Sequence, residues 1–131
     1  MAKKLLALLM LCGAITLVLV ACGGSGSGTT PAGGSGKQVH MNDTNFVQTS
    51  ITMKKGESIT LIDDTLTPHI IANGSWENGT AKPVREPGAP EVKDVQVNGY
   101  SQSVVGPFTT AGIFKFYCTI HSGMNLTITV Q

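Results

Sequence analysis

The chain has 131 residues, enough for one domain of ordinary size. Nine Lys and Arg against eight Asp and Glu leave a formal net charge of +1. Lys3 and Lys4 precede Cys22, so from Cys22 onward the balance is seven against eight, a net charge of −1. Nothing so near neutrality carries the basic footprint of a nucleic-acid-binding protein, and nucleic acid is not expected as a partner.

The chain starts with Met1-Ala-Lys-Lys4, a short basic segment, followed by an almost purely apolar run over residues 5–20 and then by small residues. That is the layout of an export signal, with a charged region, an apolar region and a small-residue cleavage zone. The apolar run nearly reaches spanning length, so an uncleaved membrane anchor is the alternative. Leu19-Val-Ala-Cys22 resembles a bacterial lipobox. The resemblance implies a signal peptide over residues 1–21, diacylglyceryl attachment to the Cys22 thiol and cleavage before it.

Residues 22–37 are then a lipidated Gly/Ser-rich linker with too little apolar content to offset the entropy of ordering it. A Gly/Ser chain of this length spans roughly 20 Å r.m.s., which suits a flexible leash. Each reading places the folded part, residues 38–131, outside the cytoplasm. The lipid reading places it on the outer face of the cytoplasmic membrane. Triplets such as Asn78-Gly-Thr80 fit a glycosylation sequon, but behind a bacterial export signal that pattern is idle.

From residue 38 on, the signals are those of strands. Ile51-Thr-Met53 alternates in polarity, Lys54-Lys-Gly56 makes a turn, and Ser58-Ile-Thr-Leu-Ile-Asp63 has the β-branched content of a strand. Asn73 to Tyr100 carries four glycines and three prolines among scattered charges. It reads as a long irregular excursion with one short strand near Val95-Gln-Val97. Long loops of this kind are usually functional or mobile. Trp76, within it, reads as core filler, with a partner contact as the other option.

Gly112-Ile-Phe-Lys-Phe-Tyr-Cys118 alternates and puts Phe114, Phe116 and Cys118 on one face. Leu126, Ile128 and Val130 alternate with Thr127 and Thr129 at the end. No stretch carries a helical period over a full helix length. The predicted fold class is all-β, an antiparallel Greek-key β-sandwich.

Three cysteines are present. Cys12 lies in the apolar run and Cys22 at the lipobox, which leaves Cys118 alone in an exported domain. A free thiol there is unusual, because oxidising compartments endanger it. The surrounding stretch, Phe116-Tyr-Cys-Thr-Ile-His-Ser-Gly-Met124, spaces a thiol, an imidazole and a thioether as C-x2-H-x2-M. His69, in Thr67-Pro-His-Ile-Ile71, follows a strand end, and Pro68 stiffens the approach to it. Loops cluster at the two ends of a sandwich, so this one can meet the Cys118 loop.

The candidate metal ligands are therefore His69, Cys118, His121 and Met124. Two imidazoles, one thiolate and one thioether suit a blue-copper site, since soft sulfur favours Cu(I) and imidazole suits both oxidation states. The alternatives are a buried inert thiol at Cys118, plain core at Met124 and an ordinary strand-end histidine at His69. His40 has no partner at ligand spacing and reads as a surface residue. Met41 and Met53 read as core.

The ligand loop, the Ala111-Gly-Ile-Phe-Lys115 before it and the Asn125-Leu-Thr-Ile-Thr-Val130 after it resemble the cupredoxins, blue-copper proteins such as plastocyanin and amicyanin. The short gap before Met124 is similar to that of amicyanin. The resemblance implies a cupredoxin-like fold over residues 38–131 and one mononuclear type 1 copper held by His69, Cys118, His121 and Met124. Where the family commonly has Asn after the first histidine, tying the two ligand loops together, this chain has Ile70. Where the family often has Tyr four residues before the cysteine, it has Phe114.

The expected function is one-electron transfer by a monomeric, membrane-tethered carrier between redox proteins, a cytochrome or oxidase-type donor and acceptor. By resemblance, His121 would be the ligand nearest solvent, and Ile120 with it would form the docking patch. An extracytoplasmic copper carrier or store is the alternative. A copper enzyme on its own is not expected. Such enzymes add His-rich copper sites, and this chain has three histidines, two of them already engaged.

Overall fold

The computed structural model describes residues 36–131. The expected signal peptide, Cys22 and nearly all of the linker lie outside these residues. Ten strands follow in order: β1 (Lys37–Met41), β2 (Ser50–Met53), β3 (Ile59–Asp63), β4 (His69–Asn73), β5 (Ser75–Glu77), β6 (Thr80–Lys82), β7 (Val95–Val97), β8 (Gln102–Val105), β9 (Gly112–Cys118) and β10 (Asn125–Val130). β1 thus begins one residue before the expected boundary at 38. One sheet has the order β1-β3-β8, the other β2-β10-β9-β4-β7, and β5 and β6 form a separate hairpin.

Alternation builds the core. In β3 Ile59, Leu61 and Asp63 point inward, and in β10 Leu126, Ile128 and Val130 do. In β9 Phe114, Phe116 and Cys118 are at most 1% exposed, on the face that their spacing indicates. The inward side chains of both sheets join in one cluster with Met41 and Met53. Phe108, from the connection between β8 and β9, sits 6.0 Å from the rings of Phe114 and Phe116. Each large apolar side chain buried in this way contributes about 1.5–3 kcal/mol, so the sandwich interior outweighs any single loop contact.

The fold is the expected β-sandwich, and most strand pairs are antiparallel. Two are parallel: β1 beside β3 and β2 beside β10. The chain crosses from one sheet to the other between β1 and β2 and returns for β3. Two reversals leave β3 running the same way as β1, which no tight hairpin could achieve.

The 73–100 stretch is more ordered than expected. β7 is the short strand anticipated there, but β5 and β6 also pair, with Glu77 opposite Thr80. The two-residue turn between them, Asn78-Gly79, has φ of 49° and 76°, the doubly positive backbone of a hairpin turn matched to strand twist. This hairpin explains a second departure. Tyr117 faces away from the core by alternation yet is only 5% exposed. Trp76 covers it, edge to face at 5.9 Å. Trp76 is therefore a half-buried cover on the outside of β9 and not part of the main core.

Candidate metal centre

β4 and β9 run antiparallel with Ile71 opposite Cys118. The start of β4 therefore lies where β9 ends and its loop begins. His69 is the first inward residue of β4, and Cys118 the last inward residue of β9. Sheet register, acting across 49 positions of sequence between them, puts imidazole and thiol at one end of the core.

His121 completes the group from the loop. Its Nδ1 lies 3.4 Å from Cys118 Sγ and 3.2 Å from His69 Nδ1. The two imidazole rings meet at 4.9 Å between centroids, 63° apart. All three ligand atoms lie within 4.8 Å of one another. Nitrogen ligands about 2.0–2.1 Å from one ion stand roughly 3.3–3.6 Å apart, close to what the two Nδ1 atoms show. Met124 is fully buried in the same loop. Its amide donates to the His121 carbonyl at 3.2 Å, and its own carbonyl accepts from the Cys118 amide at 3.0 Å.

His69 and Cys118 are fully buried, and His121 is the partly exposed member. Burial is the main reason that the His69 pKa is lowered from 6.5. The nearby His121 lowers it further, while Asp63, the Asn42 main chain and Asp43 act against the shift. The far nitrogen of His69, Nε2, is buried with no hydrogen-bond partner in good geometry, and so is Asp63 Oδ2. The neutral, metal-ready form of His69 is thus the favoured one.

The missing Asn after His69 leaves no gap in the main chain. The Thr119 amide donates to the Ile70 carbonyl at 2.8 Å, joining the two ligand-bearing segments directly. Phe114, in place of the family's Tyr, is plain core at 1% exposure. His40 stands apart, its Nδ1 at 2.9 Å and 3.0 Å from the two carboxylate oxygens of Asp64. Ile120 is 50% exposed beside His121. Sequence reasoning missed Trp76 and Asn125 as neighbours of this loop. The Asn78-Gly79 turn signal was the available clue to the hairpin that carries Trp76.

Residues 35–131 match the family described as copper binding proteins, plastocyanin/azurin family. The chain belongs to that family. This cupredoxin is 36% identical over 88 residues to the plastocyanin of Ulva prolifera, covering 66% of the chain and 86% of that protein. Among solved structures it is similar to amicyanin from Paracoccus versutus (Thiobacillus versutus), with a TM-score of 0.56 at 17% identity, over 75% of this chain and 83% of that one. A purple cupredoxin from Nitrosopumilus maritimus also matches with a TM-score of 0.56 at 17% identity, over 72% of this chain and 99% of that one. These two likenesses establish the fold. Copper is the cofactor of this family, and two imidazoles and a thiol, with a buried thioether in the same loop, fit a single type 1 copper ion.

Proposed function

We propose that His69, Cys118, His121 and Met124 hold one copper ion and that the protein carries single electrons between redox proteins. The observation that carries this reading is the convergence of one ligand atom each from His69, His121 and Cys118 within 4.8 Å at the buried end of the sandwich. Bound copper would supply a one-electron couple in which soft sulfur favours Cu(I) and imidazole suits both states. The chain's own part is to keep the donors in one place. Cys118 and Met124 are joined main chain to main chain, and Thr119 is fastened to Ile70. Burial keeps His69 neutral and water away from the thiol.

His121 is the half-exposed donor, and Ile120 stands beside it. Leu66 at 77% and Tyr100 at 70% exposure lie on loops at the same end, tied together where the Tyr100 amide donates to the Thr65 carbonyl. Exposed apolar side chains around the half-exposed His121 suit brief docking with a donor and then an acceptor. The protein would act as a monomer and transform no substrate. A lipid on Cys22 would hold it at the outer face of the cytoplasmic membrane, with the Gly/Ser stretch as its leash.

Visible absorption after addition of Cu(II) tests the reading. An intense blue or green band is expected, bleached by ascorbate, restored by an oxidant and absent from Cys118→Ser. Copper bound without that band, or only as Cu(I), would overturn electron carriage in favour of a copper carrier or store.

A further inference from the structure

The loop over residues 118–124 bears three of the four donors, yet its own hydrogen bonds are few. Within it, Cys118 N donates to Met124 O and Met124 N to His121 O. From outside it, the Thr119 amide is held by the Ile70 carbonyl at 2.8 Å, and further restraint comes from Trp76, far away in sequence. Trp76 Nε1 donates to the Cys118 carbonyl at 2.8 Å, at the start of the loop. The Trp76 amide donates to Asn125 Oδ1 at 2.7 Å, and Asn125 Nδ2 donates back to the Trp76 carbonyl at 3.0 Å, immediately after the loop. One residue of β5 thus grips both ends, across 42 and 49 positions of sequence.

The grip is itself well supported. The Trp76 ring packs edge to face on Tyr117 at 5.9 Å, the residue before Cys118. The amide of Gly74, two residues before Trp76, donates to the Lys115 carbonyl at 2.9 Å, which fastens the hairpin to β9. None of these contacts involves a donor atom of the metal site. They act on the peptide plane of Cys118 and on the exit of the loop, which together aim the Cys118 Cα–Cβ bond and set the loop's span.

We propose that Trp76 and Asn125 form a clamp that pre-forms the donor loop, so that Cys118, His121 and Met124 keep one arrangement whichever oxidation state the site is in. They are positioning residues, since neither touches the metal. The inference rests on the electron-carrier reading for its purpose. A carrier works fastest when its ligands move least on gaining or losing an electron. A fastening supplied by the protein before the metal arrives meets that need.

The test uses the full chain and Trp76→Phe, which keeps an aromatic ring over Tyr117 and removes the N–H. In the metal-free protein, hydrogen exchange at the Cys118, Thr119 and Met124 amides is expected to quicken roughly two- to tenfold, the equivalent of one hydrogen bond, while exchange in β3 stays as it was. In the copper-loaded protein the electron self-exchange rate should fall and the thiolate-to-copper band should shift. Asn125→Ala releases the other end and should act the same way, which keeps the idea testable if Trp76→Phe does not fold. Unchanged loop exchange, or exchange quickened everywhere alike, would overturn the clamp. Quickened loop exchange with an unchanged band and self-exchange rate would reduce Trp76 to a structural fastening and overturn the proposal too. A parent protein without the charge-transfer band would instead sink the electron-carrier reading, and the metal-free exchange data would still decide the clamp.

Discussion

His69 is fully buried, and an imidazolium in that position would lose most of its hydration. Its lowered pKa has a defined consequence for the metal-free protein. In the unfolded chain the ring takes a proton near its ordinary value of about 6.5. In the folded chain it resists until a lower pH. Between those two values the unfolded state binds more protons, so stability falls as pH drops below about 6.5 and levels off once the folded ring also protonates. The slope from this one group cannot exceed about 1.4 kcal/mol per pH unit. Urea denaturation of the metal-free protein at pH 7.5 and 5.5 should show the loss, and His69→Gln should show a smaller one. An equal loss in both would mean that other groups carry the acid sensitivity. At this scale the sequence was informative about residue types, since the C-x2-H-x2-M spacing keeps Cys118, His121 and Met124 in one loop and His69 was singled out beside a strand end. It was silent on the tie at Ile70, because a main-chain carbonyl has no signature in the side chain that carries it.

The β5–β6 hairpin is the element on which most of the unexpected local structure depends. Its turn residue Gly79 has φ +76° with open space around it, so Gly79→Ala meets backbone strain alone, about 1–2 kcal/mol. Gly74 has φ +129°, and a Cβ there would run into the Lys82 carbonyl oxygen and stand 2.9 Å from Pro83 Cα. Neither is a flexible side-chain end, so Gly74→Ala adds overpacking to strain and should cost about 3 kcal/mol or more. Thermal unfolding of the two variants should therefore rank them clearly, Gly74→Ala well below Gly79→Ala. Equal midpoints would mean that the main chain of Lys82, Pro83 and Val84 shifts away from Gly74 at little cost. The longer strands were legible because Gly112–Cys118 and Asn125–Val130 show several periods of alternation. β5 and β6 have three residues each, too short for alternation to emerge, and only the Asn78-Gly79 pair marks them.

At the scale of the whole molecule, the lipobox-like Leu19-Val-Ala-Cys22 makes its own prediction. Mass spectrometry of the protein extracted from membranes should find an N-terminus at Cys22 carrying a diacylglyceryl group, and Cys22→Ser should retain residues 1–21. An intact Met1 in the parent protein would overturn the lipid anchor in favour of an uncleaved helix. The sequence by itself determined the features that are local in the chain: the inward faces of the long strands and the C-x2-H-x2-M loop. Side chains a few residues apart share a face or a loop whatever the rest of the fold does. Only the tertiary structure decided that His69 meets Cys118 and His121, that β1 and β2 lie parallel to their neighbours, and that Trp76 reaches both ends of the donor loop. Those contacts join residues some 40 to 50 positions apart or strands from different parts of the chain. Their partners are chosen by how all the apolar faces can be buried at once, and that is a property of the assembled sandwich, not of any one segment.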